Sequence, residues 1–281
     1  MTLIITELHR FGYERGIVMA ADTAQTVESK ASNGVIEDRA FFGLTKLLPV
    51  PVPKLNAGLS YWGWARMPPS SNSGVWMDWW LKHFLVSKMG DYNSISELAE
   101  LLEKELRKLV PPLTDEEIKI GEGENSGGIH LAGFITEGKE AVPCFWHIHN
   151  GLSQVLPKKK IDPHIVNANY DCPPEKYLEH EREGKGYQTT NGDYEPYARF
   201  FRKYLSTYLR ELNSEMGYVI PIPAIDFAAD FLRTQIKFIS GLYAVGGIVD
   251  RGSIKRLTRG IGGNVTTLAI TKDGIQSYKE F

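Results

Sequence analysis

The chain is most constrained by a pair of apolar stretches near its N-terminus, TLIITELH at 2–9 and GIVMAADT at 16–23. Leu3, Ile4 and Ile5 open one strand, and the polar segment His9 to Arg15, with Gly12 at its centre, reads as the turn. Gly16 to Ala21 is an unbroken apolar run, the pattern of a strand buried on both faces. That run ends on Asp22, so a carboxylate stands at the end of a buried strand. A hairpin folded symmetrically about Gly12 places Thr2 opposite Asp22, and cross-strand neighbours lie within roughly 5 Å at Cβ.

Met1 precedes a small residue, a context in which Met aminopeptidase acts. Thr2 would then carry a hydroxyl and a free α-amine, the N-terminal threonine form of nucleophile plus base. An α-amine has a pKa of roughly 8, so much of it is neutral near pH 7. The plainer reading makes Thr2 only the first residue of an edge strand. A lysine follows in Leu44-Thr45-Lys46-Leu47-Leu48, inside an apolar strand pattern. It is read either as a side chain that snorkels to the surface or as a partly buried cation beside Thr2. In the second role it favours an alkoxide and keeps the α-amine neutral, since like charges depress an ammonium pKa.

These stretches, taken in order with LTKLLPV at 44–50, AGLSYWGWA at 57–65 and GGNVTTLAITKDGI at 262–275, resemble a proteasome β-type subunit, in a divergent bacterial-type form. Such subunits are N-terminal nucleophile (Ntn) hydrolases. The resemblance implies a four-layer αββα sandwich, an α+β fold, and a catalytic set of Thr2, Asp22 and Lys46. It adds Gly63 as a backbone donor to an oxyanion, although a simple turn before the helix accounts equally for that glycine. The family's Asp-x-x-Ser-Gly-Gly, which orients the threonine amine, has two alignments here. Aligning on Gly262-Gly263 puts Thr258 and Ile261 at the Asp and Ser positions, where neither does the job. Asp250 and Ser253 have the right spacing, but they require 254–261 to be inserted before the glycine pair. Ala24 stands where the family often has Arg. The resemblance further implies a homo-oligomer of one ring or stacked rings, a peptide or protein substrate, a possible ATPase partner, and no metal or organic cofactor.

A chain of 281 residues, 42% hydrophobic, suits a single domain over 1–281. The polar, proline-containing stretch 161–188 reads as an insertion relative to that pattern. A net charge of −2 offers no basic field for nucleic acid. No run approaches the roughly 18 apolar residues of a membrane span, and the N-terminus lacks a signal-peptide pattern. Two cysteines, Cys144 and Cys172, make a disulfide framework unexpected and fit a cytoplasmic protein.

Residues 27–43 read as a loop with a short extended segment, and Val75–Met89 as a helix with an aromatic face. Ser94 and Glu97 form a capping box ahead of an amphipathic helix that stops before Pro111. Strands are expected at Gly128–Ile135, Val142–His149 and Leu152–Leu156, the last following an Asn150-Gly151 turn. His147 and His149 share one strand face, but no third residue at metal-ligand spacing accompanies them. Thr190-Asn191-Gly192-Asp193 reads as a turn before a Tyr-rich helix over Glu195–Leu212, with a further helix from Ala224 to about Tyr243. Three functions compete: a threonine hydrolase cutting peptide bonds, a catalytically silent assembly subunit, and an Ntn amidase for a small amide.

Overall fold

The computed structural model describes residues 2–11, 14–30, 36–41, 43–52, 55–69, 73–120, 125–137, 140–151, 162–172, 176–177, 179, 187–192, 201, 224–246 and 261–279. In chain order they form β1 (Leu3–Phe11), β2 (Glu14–Asp22), β3 (Gln25–Lys30), β4 (Ile36–Phe41), β5 (Leu47–Pro49), β6 (Ala57–Trp62), β7 (Arg66–Met67) and β8 (Val75–Trp76). Three helices follow, α1 (Met77–Ser87), α2 (Ile95–Leu109) and α3 (Asp115–Ile120). Then come β9 (Gly128–Glu137), β10 (Glu140–His149), β11 (Asn167–Cys172), β12 (Tyr187–Gly192), α4 (Ile225–Gly246), β13 (Val265–Thr271) and β14 (Gly274–Lys279). One five-stranded sheet runs β12-β1-β2-β13-β14 and a second runs β11-β10-β9-β6-β5, and every pairing in both is antiparallel.

The expected four-layer αββα sandwich is not what these residues build. They form a β-rich mixed α/β fold, with four helices against fourteen strands among the described residues. Segments read as connections turn out to be strands. Where a loop with one short extended segment is expected over 27–43, two strands, β3 starting at Gln25 and β4, pair as a two-stranded ribbon. The stretch 161–188, read as an insertion, supplies β11, which pairs with β10, and the start of β12, which pairs with β1. Thr190-Asn191-Gly192 is not a turn but the part of β12 opposite Ile5, Ile4 and Leu3. The physical reason is that strand preference depends on context. A polar segment becomes a strand when a neighbouring edge offers it unpaired N–H and C=O groups. The Leu152–Leu156 strand and nearly all of the Glu195–Leu212 helix lie outside the described residues.

Other expectations hold. β2 is buried from Ile17 to Asp22, as its apolar run requires. Its odd positions Ile17, Met19 and Ala21 pack with Ile4 and Leu268 of the first sheet and with Leu47, Ala132 and Phe145 of the second. Its even positions Val18 and Ala20 pack with Ala228, Leu232 and Ile236 of α4. Ser94 caps α2, accepting from the Glu97 N–H at 3.1 Å, while the Glu97 carboxylate accepts from the Asn93 N–H at 2.6 Å. No described helix is long and apolar enough to cross a membrane.

The hairpin register differs from the symmetric one by a single residue. Phe11 pairs with Glu14, so Ile4 lies opposite Ala21 rather than Ala20. Thr2 is therefore not directly opposite Asp22. The Leu3 N–H takes that place, donating to Asp22 Oδ1 at 3.1 Å.

Candidate active site

Three of the sequence-derived residues meet at the ends of β1 and β2. Thr2 precedes β1, Asp22 ends β2, and Lys46 precedes β5; they are 6%, 0% and 1% exposed. At that burial the ionic groups need partners, and each has them. Lys46 Nζ donates to Asp22 Oδ1 at 3.0 Å, and also to Thr2 Oγ1 and the Ala24 carbonyl. The three N–H bonds of an ammonium are thus all used. Asp22 in turn accepts from Leu3 N–H, from Lys46 and, on Oδ2, from Gly262 N–H at 3.0 Å. The carboxylate therefore ties together β1, β2, the Lys46 segment and the turn before β13.

Burial sets the electrostatics. It pushes the Lys46 ammonium below its ordinary value, against the pull of the Asp22 charge. It pushes the Asp22 carboxyl up, opposed by Lys46 and by the Gly262 and Leu3 amides. A lysine held in this way can give positive charge to a developing oxyanion yet lose its proton more readily than one in water.

The backbone around Lys46 is fixed on several sides. Leu44 N–H donates to the Thr23 carbonyl at 3.3 Å, and Tyr61 N–H donates to the Lys46 carbonyl at 3.2 Å. The turn before β13 is held by Thr23 N–H donating to the Asn264 carbonyl at 3.0 Å and by Asn264 N–H donating to Thr23 Oγ1 at 2.9 Å. The Ala24 carbonyl and the Leu3 and Gly262 amides escaped sequence reasoning, because a backbone group leaves no mark in residue type. Only the Gly262-Gly263 pair hinted at its turn, and Gly263 does take φ +73° there.

Gly63 has a packing role of its own. It has φ +78° and packs so closely on Ser126–Gly127 that a Cβ would sit 2.2 Å from the Ser126 carbonyl oxygen. That close approach requires a glycine here on packing grounds. Gly63→Ala should therefore cost about 2–4 kcal/mol, the left-handed penalty plus overpacking. Urea denaturation checks this, and an unchanged midpoint would refute the packing role. Asp250, Ser253 and Thr258 lie outside the described residues. Ile261 is buried with Leu3, Val265 and α4, an apolar side chain beside Gly262.

His147 and His149 share one face, with ring centroids 6.0 Å apart, as their spacing requires. Opposite His147 on β9 stands His130, 4.7 Å away by centroid and joined through Nδ1 to Thr6 Oγ1 at 3.1 Å. Even so, no group of three His, Cys, Asp or Glu among the described residues could hold a metal ion. Compared with known proteins, the chain matches no protein-family model and no curated protein.

Proposed function

We propose that the chain is an N-terminal threonine hydrolase acting on peptide bonds once Met1 is removed. One observation carries the reading. A buried lysine donates at once to the Thr2 hydroxyl oxygen and to the Asp22 carboxylate. A structural lysine at a strand end would reach for water. This one contacts the atom that a nucleophilic threonine uses.

In the proposed reaction Thr2 Oγ attacks the substrate carbonyl carbon, and its proton passes to the Thr2 α-amine. The Lys46 ammonium stabilises the developing charge on Oγ, and Asp22 holds Lys46. Collapse of the tetrahedral intermediate expels the amine product, which takes up the proton. Water then hydrolyses the acyl-threonine ester and restores the hydroxyl. The order of Thr2, Asp22 and Lys46 along the chain, shared with proteasome β-type subunits, supports this assignment. A cytoplasmic assembly of copies into a ring, with an ATPase feeding it, belongs to the same proposal. Trp79 and Val86, exposed on α1, offer apolar surface for such contacts.

A catalytically silent assembly subunit is the second reading, favoured by the buried Ile261, which stands at the serine position of the proteasome β-type pattern when the alignment is made on Gly262-Gly263. One experiment separates the two. After treatment with a β-lactone electrophile, peptide mapping by mass spectrometry should find an acyl adduct on a peptide beginning at Thr2. Thr2→Ala should abolish the adduct and Thr2→Ser retain it. Complete retention of Met1, or no adduct on a chain that begins at Thr2, favours the silent subunit.

A further inference from the structure

Thr45, the residue before Lys46, is contacted by side chains from the first turns of α1. Asp78 accepts from the Thr45 N–H through Oδ2 at 3.5 Å, and its Oδ1 accepts from the Trp79 N–H at 2.8 Å. One turn further along, Lys82 Nζ donates to Thr45 Oγ1 at 3.3 Å. Thr45 is buried, while Asp78 and Lys82 stand at i, i+4 on the same helix face. On either side, the Leu44 N–H donates to the Thr23 carbonyl and the Lys46 carbonyl accepts from the Tyr61 N–H. α1 thus touches this segment at both the amide and the hydroxyl of Thr45.

We propose that Asp78 and Lys82 are positioning residues. They clamp Thr45 from its amide and its hydroxyl, and so hold Lys46 Nζ within reach of Thr2 Oγ1 and Asp22. The clamp rests on the reading of Thr2 as nucleophile only for its catalytic consequence; its geometric consequence is independent of that reading. Neither residue touches the reacting atoms. They act through one peptide unit, and misplacement by about 1 Å is enough to cost a large factor in rate. The hydrogen bonds are long, so the clamp sets a position without rigid fixation, and both its members can be altered without emptying the core.

The two ways in which Asp78 could act on Lys46 have opposite signs. As a nearby negative charge it holds the Lys46 proton on, so removing the charge lowers the pH at which Lys46 titrates. As a clamp it keeps the segment closed, so removing it admits water and raises that pH toward the ordinary lysine value. Asp78→Asn removes the charge but keeps an acceptor oxygen for the Thr45 amide. Asp78→Ala removes both.

The experiment follows the ε-methylene carbon signal of Lys46, assigned by its loss in Lys46→Met, through a pH titration of uniformly folded protein. Wild type, Asp78→Asn, Asp78→Ala and Lys82→Met are compared, with peptide turnover measured on the same samples. In Asp78→Ala the titration should move upward by about one pH unit and kcat should fall about 10-fold with KM nearly unchanged. Asp78→Asn should stay close to wild type, and Lys82→Met should move in the direction of Asp78→Ala. If Asn and Ala lower the titration alike, Asp78 acts as a charge and the clamp is wrong. If Asp78→Ala leaves the Lys46 titration in place, the clamp is also wrong. Absence of Thr2-dependent turnover in wild type overturns the nucleophile reading instead, and the Lys46 titration still decides the clamp.

Discussion

Lys46→Ala is expected to lower peptide turnover by on the order of 10²–10³, the usual loss when one preorganised electrostatic partner is removed. The substitution takes away the only side-chain donor seen on Thr2 Oγ1 among the described residues, together with the partner of Asp22. Lys46→Arg should not rescue it. A planar guanidinium cannot bring one nitrogen to Thr2 Oγ1, Asp22 Oδ1 and the Ala24 carbonyl together, and it does not give up its proton. Asp22→Asn should also impair turnover, because Lys46 loses its counter-charge. Stability needs a separate control. Breaking a buried ion pair by removing one partner costs roughly 3–5 kcal/mol, here softened by the Leu3 and Gly262 amides that remain on Asp22. Lys46→Met combined with Asp22→Asn removes both charges and should recover stability without recovering turnover. The measurements are steady-state hydrolysis and urea denaturation of each variant after confirmed Met1 removal. Wild-type turnover in Lys46→Ala would reduce Lys46 to a structural strand residue.

The second large effect is loss of stability in acid. His130, His147 and His149 are buried in their neutral forms, and burial lowers the pKa of all three, that of His130 to about 3. In the unfolded chain each titrates near 6.5. Between those values the unfolded state binds more protons, so stability falls as pH drops below about 6.5 and continues to fall toward pH 3. His130 alone should remove about 2 kcal/mol between pH 7 and pH 5, at roughly 1.4 kcal/mol per pH unit. Asp22 works in the opposite direction, since its raised carboxyl favours the folded state in acid. The difference between wild type and His130→Gln isolates the histidine, because Gln keeps an amide for Thr6 Oγ1 and does not titrate. Urea denaturation at pH 7 and pH 5 should show the variant losing about 2 kcal/mol less than wild type. Equal losses would mean that His130 is already solvated or charged in the folded protein.

His130 also shows what sequence reading missed. His147 and His149 are recognisable as a pair because they sit two residues apart on one strand. Their neighbour lies seventeen residues before the first of them and reaches it only because β9 and β10 pair in the register that sets His130 opposite His147. Local spacing reveals side chains on one strand face, whereas contacts across strands depend on register.

The same division runs through the candidate site. Residue types and their order were enough to single out a buried strand ending in a carboxylate, a threonine at the head of its partner strand, and a lysine in an apolar segment. Those are local patterns of hydrophobicity and chemistry. They were also enough to place the capped helix α2, whose start is written in Ser94 and Glu97. Tertiary structure decided the rest. A register one residue away from symmetry gave the position opposite Asp22 to the Leu3 amide. A turn 240 residues along the chain brought the Gly262 amide onto the same carboxylate. Polar stretches with little strand signal of their own formed β3, β4, β11 and β12, because pairing partners could use their backbone groups. Backbone donors and acceptors are the same in every non-proline residue, so which of them meet is determined by the path of the whole chain and not by residue type.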